Sequence, residues 1–167
     1  MDPTVSTEIA KLTPVIIGGA LAILGGLVTQ LLAAQLNERR ERIKIRREKL
    51  ELLVQCLYEH LHWIYEMRSK LIYSRESYDV PSPLDKAWML QKLYFPELQE
   101  ALVEVAKTDL ELGNFCREQR IGQLTDRAAW LKNYDEQPYQ ILFGKYLNAR
   151  NIALVKAARL INKYARL

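Results

Sequence analysis

Hydrophobic and polar positions divide the chain into one uninterrupted apolar run followed by a series of helix-spaced stripes. From residue 14 to residue 36, PVIIGGALAILGGLVTQLLAAQL, no side chain is charged. Thr13 and Pro14 read as a helix start, a threonine N-cap followed by a proline whose missing N–H costs nothing in the first turn. Some 20 residues rising about 1.5 Å each span a hydrocarbon core of about 30 Å, so the run predicts a transmembrane helix. Beyond it Leu36, Ile43, Leu50, Leu57, Ile64 and Leu71 recur every seven residues with no intervening proline or glycine. This spacing predicts that one long helix leaves the run. Arg39, Arg40, Arg46 and Arg47 occupy the partner slots nearest the run and exclude a full zipper there. From Leu50 the stripe widens to Leu53, Val54 and Leu61, the broad apolar face of a bundle helix.

The stretch SRESYDVPSP, residues 74–83, breaks this pattern and reads as a loop. Ser82 then supplies a cap, Pro83 the first helical position and Asp85 the acid of the first turn, which opens a short helix to about Leu93. Pro96 begins another, with Leu98, Leu102, Val105 and Leu112 as its apolar face and a possible end or bend at Gly113-Asn114. Thr125 reads as the cap of a short helical piece, DRAAWLKN, and a final helix is expected from about Tyr139 to Tyr164. Phe143, Leu147, Leu154, Ala158 and Ile161 form the expected apolar face of that last helix. Strand signals are nearly absent. The fold class expected is all-α, an N-terminal transmembrane helix continuing into a long helix and an antiparallel cytoplasmic helical bundle. The expected divisions are a short extracytoplasmic N-terminus at 1–13, the span at 14–36, a basic juxtamembrane stalk at 37–49 and the bundle at 50–167.

Charge placement gives the span an orientation. The net charge of the 167 residues is only +4, but Lys11 alone precedes the run while Arg39, Arg40, Arg42, Lys44, Arg46, Arg47 and Lys49 follow it. Basic flanks stay on the cytoplasmic side, so the N-terminus is expected outside and the remainder in the cytoplasm. The same seven residues would also meet anionic lipid headgroups. Within the run, Gly18, Ala22 and Gly26 repeat every four residues and Gly19, Gly26 and Ala33 every seven, a surface on which two membrane helices could pack closely, with Gln30 on the same face. A homo-oligomer is the expected consequence. In the last helix Lys145, Lys156, Arg159, Lys163 and Arg166 share one face. They read either as a solvated face opposite acidic neighbours or as a basic docking face for a partner.

Signals for chemistry are few. Glu59-x-x-His62 is half of a di-iron pattern, but His60 and His62 are the only histidines, so the second half is missing. Cys56 and His60 are one turn apart, too few ligands for zinc. Cys56 and Cys116 read as reduced buried thiols. There is no Gly-rich phosphate loop and no serine–histidine–acid constellation. Neither histidine is preceded by an arginine about five residues earlier, as helical ribonucleases require. Trp63, Trp88 and Trp130 read as core or interface anchors. The expectation is a non-enzyme with no metal and no cofactor, and nothing in the pattern favours nucleic acid as a partner.

GG-x5-GG in the run followed by ERRERIKIRREKLELL, with LYFPELQEAL at residues 93–102 opening a later helix, resembles small bacterial single-pass membrane proteins, some of them from prophage or antiviral systems. The resemblance implies an inner-membrane location with the C-terminal domain in the cytoplasm. Two functions follow as expectations. One is a self-associating anchor or scaffold whose bundle binds a cytoplasmic protein. The other is a membrane-acting effector that oligomerises and permeabilises the bilayer.

Overall fold

The structure is a computed structural model. It describes the backbone of residues 3–74 and 77–165, and the side chains of residues 25–27, 29–74 and 77–164. Five α-helices follow one another: α1 (Pro3–Arg68), α2 (Pro83–Tyr94), α3 (Gln99–Thr125), α4 (Arg127–Asn133) and α5 (Gln137–Ala165). A π-helical turn, Ser69–Ser74, follows α1, and a 3₁₀ turn, Pro96–Leu98, precedes α3. Among the described residues there is no strand, and the fold class is all-α.

The transmembrane part of the expectation is corrected. Among the described residues no helix is long and apolar enough to cross a membrane. The side chains of residues 14–24 and 28, on which the expectation also drew, lie outside the described residues. The expected helix start at Thr13-Pro14 is also revised, since α1 begins at Pro3.

The chain forms two compact units, Met1–Lys44 and Ile45–Leu167. In the first, Leu27, Leu31, Leu32 and Leu36 are each more than half exposed. Local contacts there stay within one turn, Thr29 Oγ1 donating to Gly25 O at 2.8 Å and Arg42 pairing with Glu38.

The second unit holds the core. Leu50, Leu53, Leu57, Ile64 and Met67 of α1 are buried, together with Leu102, Val105 and Leu112 of α3 and Tyr139, Tyr146 and Tyr164 of α5. The long apolar stripe of α1 thus packs from Leu50 onward, where α3 and α5 lie beside it. Ser82 caps α2, its hydroxyl accepting from Leu84 N at 3.2 Å ahead of Pro83, as the sequence implies. Two boundaries differ from expectation. Helix α3 does not end at Gly113, and the cap of α4 is Asp126, which accepts from Ala129 N at 3.0 Å, not Thr125.

Helix α5 turns a different face inward than its large apolar residues suggest. Ala149, Ala153 and Ala157, at four-residue spacing, are buried, while Ala158 is exposed and Phe143, Leu147, Leu154 and Ile161 are half-buried. Small residues let α5 and α3 approach closely. The two helices are antiparallel and joined at their edge by Lys145 to Glu111 at 4.0 Å and Lys156 to Glu100 at 3.8 Å. Lys145 and Lys156 are eleven residues apart, as are Glu100 and Glu111, which is close to three helical turns on each side.

Candidate functional site

Among the described residues of the second unit, three surface cavities are compared by what their polar side chains already do. The largest, about 420 Å³, lies between α3 and α4. Its acid, Asp126, is spent on capping α4, and its Gln119 accepts the indole N–H of Trp130 at 3.0 Å. A third, about 320 Å³, lies between α3 and α5. Its charges are answered locally, Lys145 by Glu111 at 4.0 Å and Lys107 by Glu104 at 3.6 Å. The cavity between α1, α2 and α3, about 340 Å³, is different.

This cleft is built where the end of α1, the start of α2 and the middle of α3 border one cavity. Helix α1 contributes Trp63 and Met67, α2 and its cap contribute Ser82, Leu84, Asp85 and Trp88, and α3 contributes Asp109, Leu110, Gly113 and Arg117. The α3 positions recur at one-turn intervals, so one helical face supplies them all. Trp63 is fixed by its indole N–H, which donates to Val80 O at 2.8 Å, and by stacking on the His60 ring with centroids 5.4 Å apart. Tyr78 packs on Trp63 and donates to Glu66 Oε2 at 3.1 Å, which pins the loop before α2. Burial and the acceptor Glu66 push the Tyr78 hydroxyl up to about 12.

Behind the cleft lies a buried polar chain. His60 has no exposed surface, and its Nδ1 is 2.8 Å from the Tyr146 hydroxyl. Its Nε2 is 3.4 Å from Asp109 Oδ1, an ion-pair distance without hydrogen-bond alignment. A carboxylate only accepts, so the tautomer that suits both neighbours carries its proton on Nε2 and accepts at Nδ1 from Tyr146. Burial holds the Tyr146 hydroxyl well above its ordinary range, against the opposing pull of Arg150, so it remains a neutral donor. Arg150 closes the same region from α5, donating from Nε to Leu57 O at 3.0 Å with its guanidinium over the Tyr58 ring. Asp109 is therefore shared between two environments. Oδ1 is sealed against His60, and the side chain, 22 % exposed, lines the cleft.

The residues singled out from sequence fall elsewhere. Gly18, Gly19 and Ala22 have side-chain surroundings outside the described residues. Gly26, Gln30 and Ala33 are exposed, and nothing lies within 4 Å of a Cβ built on Gly26. Of the basic block, Arg39, Arg40, Arg42 and Lys44 are exposed, Arg46 sits over the Tyr164 ring at 5.6 Å, Arg47 pairs with Glu51 at 3.2 Å and Lys49 is half-buried. Of the basic face on α5, Lys145 and Lys156 pair with α3 glutamates, Arg159 and Lys163 are exposed, and Arg166 lies outside the described residues. Glu59 and His62 are both exposed. Among the described residues no group of three or more His, Cys, Asp or Glu side chains is placed to hold a metal. Cys56 and Cys116 are free and buried. Burial pushes the Cys116 thiol up to about 11 and raises Cys56 as well.

Sequence reasoning missed Asp109, Arg117 and Tyr146. One signal was available: Asp109, Gly113 and Arg117 share one α3 face at four-residue spacing, and a glycine inside a helix often marks a close approach.

No protein-family model, no curated protein and no solved structure matches the chain. The resemblance to single-pass membrane proteins is therefore corrected: no family supports it, and the described residues hold no membrane-crossing helix. The inner-membrane location, the outside-to-inside topology, the membrane scaffold and the bilayer-permeabilising effector all required that helix, and they fall with it. The expected partners rested on it too. A lipid bilayer, a second copy packed along the membrane helix and a protein recruited to a membrane-anchored bundle lose their basis, and the contacts described above are intramolecular.

Proposed function

We propose that the unit Ile45–Leu167 is a non-enzymatic binding module for a small organic ligand, held in the cleft between α1, α2 and α3. The observation that carries this reading is Asp109, a carboxylate with one oxygen buried beside an imidazole and a side chain opening on a cavity that also holds two indoles. A volume of about 340 Å³ is at the small end of ligand cavities, which begin near 300 Å³. Binding without chemistry is supported by the nucleophiles: both thiols are buried and raised, and the imidazole of His60 is sealed behind Asp109.

Tryptophan fluorescence tests this reading. In a Trp130→Phe background only Trp63 and Trp88 report, and both line the cleft. A library of small charged and aromatic fragments should give saturable changes that Trp88→Ala abolishes, and bound fragments should be recovered chemically unchanged. Hits that bind Trp88→Ala equally well, or a library with no saturable hit, would sink the cleft. A converted fragment would sink the non-enzymatic reading.

A further inference from the structure

Building on that cleft as a ligand site, we infer that its ligand is a zwitterion of the α-amino-acid type with an apolar or aromatic side chain. The cavity carries charges of both signs. Asp85 and Arg117 make no ion pair among the described residues, and Asp109 has only the misaligned imidazole behind it. Arg117 is seated in a specific way: its Nη2 lies 3.4 Å from where a Cβ of Gly113 would be. That is an ordinary van der Waals distance, so the guanidinium packs back along its own helix face beside Gly113. Trp63, Trp88, Met67 and Leu84 supply the apolar remainder.

Complementarity then selects the ligand. A carboxylate matches the two-pronged donor geometry of Arg117, and an ammonium supplies three donors to the open oxygen of Asp109 and to Asp85. A cation alone leaves Arg117 facing a like charge. An anion alone leaves Asp109 without a donor on its open side while it meets a like charge. Both cost affinity relative to a ligand carrying the two groups together.

Three probes decide it, titrated into the full chain in the Trp130→Phe background: L-phenylalanine, phenethylamine, which lacks the carboxylate, and 3-phenylpropionate, which lacks the ammonium. L-phenylalanine should bind at least about tenfold more tightly than either, the worth of one charged hydrogen bond. Arg117→Gln should bring L-phenylalanine down to the Kd of phenethylamine, and Asp109→Asn should bring it down to that of 3-phenylpropionate. Arg117 is an exposed side chain, so Arg117→Gln should melt like the parent and keeps the test valid if Asp109→Asn unfolds. Equal or tighter binding of either singly charged probe overturns the zwitterion and leaves the small-ligand cleft standing. No saturable signal from all three also overturns it, and the fragment library then decides the cleft separately.

Discussion

Leu36 and Leu50 are fourteen residues apart on the same seven-residue stripe of α1, yet Leu36 is 55 % exposed and Leu50 is fully buried. The same contrast separates Leu31 and Leu32, in the unit Met1–Lys44, from Leu53 and Leu57, in the unit Ile45–Leu167. Apolar periodicity marks a face of a helix in both stretches. In the second, α3 and α5 provide something for that face to pack on, through contacts such as His60 with Tyr146 and Arg150 with Leu57. A stripe is thus a necessary condition for burial and carries no information about its partner.

The largest test of this contrast is truncation. Leu57→Ala should destabilise the chain by about 2–5 kcal/mol, the range for a buried leucine. Leu36→Ala should change stability by no more than about 0.5 kcal/mol, as exposed substitutions do. Urea unfolding followed by circular dichroism checks both, and equal effects would erase the distinction between the two stretches.

Alkali should act on the second unit. Cys116 is held near 11 against an ordinary value near 9, and Tyr78 and Tyr139 are held near 12 against an ordinary value near 10, each mainly by burial. A group raised in the folded state contributes stability that is complete below its unfolded value and lost as pH rises through its folded value. Stability should be level below pH 9 and fall between about 9 and 12. Cys116→Ala should remove the first part of that fall. Native thiols should also resist a thiol reagent until the chain is unfolded, and ready labelling at pH 8 would contradict the burial.

Tyr146→Phe sharpens the comparison at one atom. It leaves Nδ1 of His60 buried with no partner, which costs about 1–3 kcal/mol. Tyr58→Phe, at a 53 % exposed hydroxyl-bearing ring, should cost far less. The smallest effect expected is a gain. Nothing lies within 4 Å of a Cβ on Gly144 or on Gly26. Gly144→Ala, inside α5, should raise stability by about 0.5–1 kcal/mol through helix propensity. Gly26→Ala should leave the same unfolding transition unmoved, and a matching rise would mean that the two units unfold as one.

The helical class, the loop before α2 and the Ser82-Pro83 cap were legible because each depends on residues adjacent in sequence. The cleft was not. Trp63, Asp85 and Asp109 come from three helices, and their convergence depends on how those helices pack, which local pattern does not encode. The inward face of α5 was misread for a related reason. Burial there follows close approach of α3, which favours Ala149, Ala153 and Ala157 over the larger residues beside them. Gly113-Asn114 offered an end or a bend, and the helix does not end there: α3 continues to Thr125.

The alanine ladder of α5 has a weakness as a means of identification. A pattern that repeats every four residues looks nearly the same after α5 slides one turn along α3, so packing alone tells the two arrangements apart poorly. The two lysine–glutamate contacts act as a parity check on that sliding. One turn in one direction would set Lys145 against Lys107 and carry Lys156 beyond the start of α3, opposite Pro96. One turn the other way would set Lys145 against Phe115 and leave only Lys156 answered, by Glu104. Each exposed pair contributes little energy. Their eleven-residue spacing still carries information that the ladder lacks, because only one alignment of the two helices satisfies both at once.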